Sequence, residues 1–197
     1  MIINLELNNI KDLILESNSK YFLEINTVVN NPNISISITK NSSLQIIDNS
    51  GSMGKLNCNI YLIGEQANFE YINQSIYKDS TVEKNIQVFH QASNTKSYVK
   101  IKNIAENKSH ITGKVLLHIN SNSDNCIAKQ QIEFINLSSS SKINFTPILE
   151  IENISAISEH SFSIINLSPQ DLFYFMSRGI DKKLAKKLIL EGFLSKY

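Results

Sequence analysis

The stretch NNPNISISITKNSSLQIIDNS, residues 30 to 50, decides the fold. Ile34, Ile36 and Ile38 alternate with Ser35 and Ser37, the period-two pattern that lines apolar side chains along one face of an extended strand. Asn30-Asn31-Pro32-Asn33 precedes the run, and a second apolar run from Leu44 to Ile47 ends at Asn49-Ser50-Gly51-Ser52, all residue types that tolerate turn geometry. The pattern repeats from about Tyr21 to about Leu167, with runs at Ile60 to Ile63, Ile86 to Phe89, Tyr98 to Ile101, Val115 to Ile119, Ile132 to Ile135, Ile148 to Ile151 and Ile164 to Leu167. Asn120 to Asn125 and Ser138 to Ser141 supply further polar breaks, and no long helical stripe intervenes. Many short strands at fairly even spacing fit a sandwich or a solenoid of stacked coils. Asn-Gly and Asp-Gly hairpin signals are absent and glycines few, which favours coils joined by wide corners while leaving a sandwich open.

Composition narrows the function classes. The chain has 197 residues, 42% of them hydrophobic and 19% charged, which suits one compact domain or a domain with a small appendage. Nineteen Lys+Arg against 18 Asp+Glu leave a net charge of +1, too little to hold a phosphate backbone, so a general nucleic-acid binder is not expected. Cys58 and Cys126 lack CxxC spacing, which removes zinc-ribbon, thioredoxin-like and disulfide-framework readings; both read as buried small hydrophobes before reactive thiols. The N-terminal MIINLELNNIKDLILES is interrupted by Glu6, Lys11 and Asp12, so neither a signal peptide nor a membrane span is expected, and the chain reads as cytoplasmic. Ile, Asn, Ser and Lys recur throughout while Gly is 6, Pro 3 and Trp 0, the bias of an AT-rich coding sequence, so part of the Asn and Ser content reads as drift rather than turn chemistry.

The last thirty residues change character. Ser168-Pro169-Gln170-Asp171 offers an N-cap serine, a proline at the first helical position and an acid three residues after the cap. A short helix through Leu172, Phe173, Tyr174 and Phe175 should stop near Arg178-Gly179, and Asp181 should cap a second helix that Gly192 closes. Leu184, Ala185, Leu188 and Ile189 share one side of it, and Lys182, Lys183, Lys186 and Lys187 lie largely on another. Lysines in its first turn oppose the helix dipole, so this helix depends on packing. Phe173, Tyr174, Phe175, Leu184, Leu188 and Phe193 offer more apolar surface than two such helices bury between themselves; some must meet the core or a partner. The division is therefore a strand-rich core, 1–167, and a helical segment, 168–197.

These residues resemble a known family. LFYFMSRGI at 172 to 180 and LAKKLILEGF at 184 to 193 are similar to the C-terminal signature of the SufB/SufD proteins of SUF iron-sulfur cluster assembly. PILEIENISAISEH at 147 to 160 resembles the family's acidic strand leading to a histidine, and VFHQASNTKS at 88 to 97 and ITGKV at 111 to 115 resemble earlier strands; the likeness covers roughly 60 to 197. It implies an all-β core, a right-handed parallel β-helix, with a short C-terminal helical segment that docks on the SufC ATPase, and cores that pair SufB with SufD. The family's SufB cysteine falls at Ile132, so it is missing here, and SRGI in place of QRGI also points to the SufD side. Ser161, Phe162 and Ser163 follow the histidine where SufD chains carry Gly-Ala-Thr and SufB chains Glu-Ala-Thr. The chain reads as a SufD-like subunit shortened at both ends.

The resemblance makes His160 the expected ligand for iron or an iron-sulfur cluster held transiently at a subunit interface. Glu159 points to the opposite face of an extended strand and reads as a solvated carboxylate. Phe173, Tyr174, Arg178, Gly179, Ile180, Leu184, Leu188 and Phe193 are the expected partner-binding residues. The expected partners are a SufB-like subunit, or a second copy of the chain, and a SufC-like ATPase. No GxxxxGK[ST], GxSxG or HExxH element occurs, so no ATP is expected on this chain and it reads as a non-enzyme. His90, His110 and His118 show no metal-ligand spacing and read as surface or structural groups. Two alternatives stand beside this reading: a family member that keeps fold and pairing without cluster chemistry, and a polysaccharide-active β-helix enzyme, which the single arginine, Arg178 in the helical tail, disfavours.

Overall fold

The computed structural model describes residues 2–5, 12–26, 32–51 and 54–195. Asn30, Asn31 and Ser52 of the expected turns, and part of the N-terminal stretch, lie outside them. The strands are β1 (Ile2–Leu5), β2 (Leu13–Leu15), β3 (Lys20–Ile25), β4 (Asn33–Ile38), β5 (Ser43–Asp48), β6 (Gly54–Leu62), β7 (Asn68–Lys78), β8 (Thr81–His90), β9 (Lys96–Glu106), β10 (His110–Ile119), β11 (Ile127–Asn136), β12 (Lys142–Ile151) and β13 (Ile157–Asn166). The helices α1 (Pro169–Met176) and α2 (Lys182–Leu194) follow. Odd-numbered strands form one sheet in the order β1-β3-β5-β7-β9-β11-β13, and even-numbered strands the other, β12-β10-β8-β6-β4-β2. The pairs within both sheets are parallel. The chain is thus a β-solenoid of about 5 turns, and the sandwich alternative is excluded.

Parallel stacking in register turns each period-two strand into a rung, so equivalent side chains form rows along the solenoid. Ile34, Cys58, Ile86 and Val115 make one buried row, and Ile36, Ile60, Val88 and Leu117 the next. Cys58 therefore occupies an aliphatic position, as a small hydrophobe does. At Gly113 the backbone of β10 comes so close to β8 that a Cβ atom would lie 2.0 Å from the Lys84 carbonyl oxygen, which explains a glycine inside a strand.

Part of the Asn content serves the corners. Asn18, Asn41, Gln66, Asn94 and Asn125 all have φ between 54° and 61°. Left-handed backbone is costly for most residues and tolerated by Asn. Each turns the chain into the next strand of the odd-numbered sheet, and the corners bond one another: Asn18 N–H donates to Lys40 O (3.0 Å), Asn41 N–H to Glu65 O (3.0 Å) and Asn94 N–H to Asp124 O (2.8 Å). In four of these five corners the next residue is small and fully buried, namely Ser42, Ala67, Thr95 and Cys126, whereas Ser19 is half-buried. Cys126 fills this corner, with its thiol 3.1 Å from Thr95 Oγ1.

The interior is not wholly apolar. Lys84 on β8 reaches across it to Asp48 on β5, with Nζ 2.5 Å from Oδ2, and both are buried. Tyr71 Oη donates to the same carboxylate oxygen (2.5 Å), and the Ser50 backbone N–H to the other (2.9 Å). Asn73 Nδ2 bonds Asp48 O (2.7 Å) and Asn103 Nδ2 bonds Asn73 Oδ1 (2.7 Å), which carries the network along successive coils. Low surrounding dielectric makes such a network strong when complete and costly when broken.

The two helices form where the sequence places them. Ser168 and Asp171 make a reciprocal capping box, with Asp171 N–H donating to Ser168 Oγ (3.3 Å) and Ser168 N–H to Asp171 Oδ2 (2.8 Å). After α1, Ile180 N–H donates to Phe175 O (3.2 Å) and Gly179 N–H to Met176 O (3.0 Å), a Schellman turn that Gly179 permits at φ +82°. Asp181 Oδ1 caps α2 at Lys183 and Leu184. Gly192 does not close α2: the helix continues to Leu194, and Ala185 is its buried residue. The helix lies against β9 and beside Ile76 of β7, and Ile104 on the outer face of β9 is buried. Lys186 Nζ bonds Glu106 Oε1 (3.0 Å), and Lys102 Nζ bonds Phe193 O (3.3 Å) while lying over the Phe193 ring. Lys84→Met, which strands Asp48 in the interior, is expected to destabilise the fold by ~3–5 kcal/mol in urea unfolding, and Asp48→Asn added to it to recover part of that loss. A change under about 1 kcal/mol would show that the network carries no stability.

Candidate functional site

The solenoid has an end at which its inner rows stop without cover. On one row Ile25, Asp48, Asn73, Ile101 and Ile132 are at most 1% exposed, yet Phe162, the next residue on β13, is 40% exposed. Beside it Phe134 is fully buried and its β13 neighbour Ile164 is 39% exposed. Phe162 meets Phe134 edge-on at 6.4 Å between centroids, and Ile154, Ile157 and Ile165 are also exposed around this end. Among the described residues β13 bonds only β11, so one edge of its backbone lacks a strand partner. An uncovered row of apolar side chains beside an unpaired strand edge is the form of an interaction surface.

His160 stands on this end. It pairs in register with Gln130, on a row that runs Leu23, Ile46, Tyr71, Val99, Gln130, His160, and so leaves the sheet on the interior side. Where the other members are buried, His160 is exposed because no further coil among the described residues covers it. Glu159 faces the outer side, where Lys129 Nζ lies 3.0 Å from its Oε2, beside a groove of about 480 Å³ that Tyr98, Gln131 and Ser161 also line. Ile132, at the expected cysteine position, is fully buried between Ile101 and Phe162. Among the described residues no three His, Cys, Asp or Glu side chains gather in a way that could hold a metal ion.

The remaining titratable candidates are placed within the fold. His90 is buried in a row with Ile38, Leu62 and Ile119, and its ring nitrogens bond Thr95 Oγ1 (2.7 Å) and Ser97 Oγ (2.8 Å). Burial, with His118 adding, pushes its pKa down to about 4. His118 lies on the outer face against Phe89, with Nε2 3.3 Å from Glu152 Oε1. Burial first, and the Asp48 charge second, push the Cys58 thiol up to about 12, which removes its nucleophilic form at neutral pH.

The helical residues divide by direction. Phe173, Tyr174, Met176, Leu184 and Leu188 are exposed, whereas Leu172 and Ala185 are buried. The Arg178 guanidinium stacks over Tyr174 at 4.6 Å, and Gly179 and Ile180 form the turn between the helices. Phe193 faces the solenoid through its contact with Lys102. Met176, Phe162 and Ile164 are exposed apolar groups that no sequence motif marks. The alternation Phe162-Ser163-Ile164 was visible, but nothing local marks a strand as the last one.

A parallel solenoid with an uncovered strand end and a docked helical pair defines the class of protein. The profile of the SufBD core domain of SUF system iron-sulfur cluster assembly matches residues 17–193. The chain belongs to the SufB/SufD family. It is 27% identical over 133 residues to an iron-sulfur cluster assembly SufBD family protein of Porphyra purpurea, covering 67% of this chain and 27% of that protein. It is 25% identical over 165 residues to a SufBD family protein of Staphylococcus haemolyticus, covering 81% of this chain and 35% of the relative, with the same figures for one from Staphylococcus aureus strain USA300. The chain thus spans about a third of the length of these relatives. Among the described residues no helix is long and apolar enough to cross a membrane.

The depressed His90 pKa gives stability a definite pH dependence. The unfolded imidazole takes up its proton near 6.5 and the folded one only near 4, so this contribution is complete above about pH 6.5 and is lost as pH falls toward 4. The loss is expected to reach roughly 3 kcal/mol. Urea unfolding at neutral and acidic pH should show it in the wild type and a smaller drop in His90→Gln; equal drops would remove His90 as the cause.

Proposed function

We propose that the chain is a SufD-like, non-enzymatic scaffold subunit of a cytoplasmic SUF assembly complex. The observation that carries this reading is the uncovered solenoid end, where Phe162 and Ile164 continue buried interior rows into solvent. A SufB-like subunit presenting a similar end would bury these side chains and pair the free edge of β13. Ile132 in place of the SufB cysteine favours the SufD side of such a pair. His160 on the same end would offer an imidazole to iron, or to a cluster in assembly, as cargo passing through the interface, with the other ligands coming from the partner.

The exposed face of Phe173, Tyr174, Leu184 and Leu188 supports docking of the helical pair on a SufC-like ATPase, in the manner of amphipathic helices laid into a groove. Arg178, Gly179 and Ile180 shape the turn at that face, and Phe193 anchors it to the solenoid. ATP would be bound and hydrolysed by that partner, and its movement passed through residues 168–193 to the solenoid. Neither nucleic acid nor membrane enters this reading.

Co-expression with SufB-like and SufC-like proteins from the same source tests it. Size-exclusion chromatography should yield one assembly containing all three. Phe162→Asp should release the SufB-like subunit and keep the ATPase, whereas Leu184→Glu should weaken ATPase binding by roughly tenfold or more. His160→Ala should keep both partners and lower the iron retained. A chain that ignores both partners and pairs with itself would make it a homodimeric scaffold and overturn the SufD role.

A further inference from the structure

The interior row that ends at His160 contains an unsatisfied polar atom. Gln130 is 2% exposed, and its Nε2 donates to Ile148 O on β12 at 3.1 Å, which fixes the amide across the interior. Its Oε1 is buried and has no hydrogen-bond partner, the one such side-chain atom among the described residues. A buried acceptor left unpaired is costly, and native interiors supply a donor. Along the row Gln130 has two neighbours: Val99 on β9, which offers no side-chain donor, and His160 on β13. Parallel strands ~4.8 Å apart set side chains of one row next to each other. His160 is exposed, so rotation about its side-chain bonds is open to it.

We infer that Gln130 is a positioning residue for His160: the buried Oε1 accepts the imidazole N–H and leaves the other ring nitrogen, with its lone pair, facing the uncovered end. This rests on His160 as the metal-facing group and adds what such a ligand needs, a partner that fixes ring orientation and tautomer. It also accounts for an amide in a row whose lower members are Leu23, Ile46, Tyr71 and Val99. Ser158 is the competing donor, since it lies one interior position earlier on β13, in register with Ala128.

Ring 15N shifts of histidine-labelled, metal-free chain, measured above the imidazole titration, test the inference directly. One His160 tautomer should predominate, and Gln130→Leu should move the tautomer ratio by roughly threefold to tenfold toward that of a free imidazole. If the Leu variant does not fold, the Gln130 side-chain carbonyl 13C shift in His160→Ala, an exposed substitution, reads the same bond from its other end and should change. An unchanged ratio in a folded Gln130→Leu, an unchanged carbonyl shift in His160→Ala, or a carbonyl shift that responds to Ser158→Ala instead would overturn it. Because no metal is present, failure here is separate from failure of His160 to retain iron in the assembled complex.

Discussion

Each coil of a parallel solenoid takes its backbone partners from the coils on either side, and that dependence organises this molecule. A parallel strand cannot fold back on its neighbour through a tight turn. Corners and rows therefore repeat along the chain: a left-handed residue, Asn in all but one case, at one corner, a small and mostly buried residue after it, and interior side chains in register. The same dependence leaves the last coil incomplete. Phe162, Ile164 and His160 are exposed because they occupy interior positions with no further coil above them.

The interior explains how stability and the site share one scaffold. Most rows are aliphatic, but Asp48, Lys84, Tyr71, Asn73 and Asn103 form a closed polar network in the middle coils, where all are buried. Complete hydrogen bonding is what makes such an interior tolerable. Toward β13 the rows become polar again at Gln130 and His160, and there one acceptor remains open. The polar interior of the middle coils is satisfied from within, whereas that of the last coil is directed outward.

Much of the fold was legible because strand periodicity survives parallel stacking unchanged. The Ile34-Ile36-Ile38 run lies in β4, and Ser168, Pro169 and Asp181 sit at the helix starts they announced. β7 is not legible as a strand because Asn73 and Ser75 take interior positions and break the apolar alternation that marks one. The asparagine corners were legible in principle, but a composition rich in Asn hid them. His160 could be named from the family's motif, whereas its open surroundings depend on which coil is last and Gln130 on register, neither of which is local in sequence. Gly192 does not end α2 because the contacts of the helix with β9, through Lys186 to Glu106 and Phe193 to Lys102, outweigh a local tendency to stop.

The central claim is that the uncovered strand end is where a second solenoid joins. Hydrogen exchange of the β13 backbone, residues 157 to 166, measured on the chain alone and after mixing with the SufB-like partner, tests it most directly. The account predicts that β13 amides facing away from β11 exchange quickly alone and become protected in the complex. A stable complex in which β13 exchanges as it does in the isolated chain would contradict it.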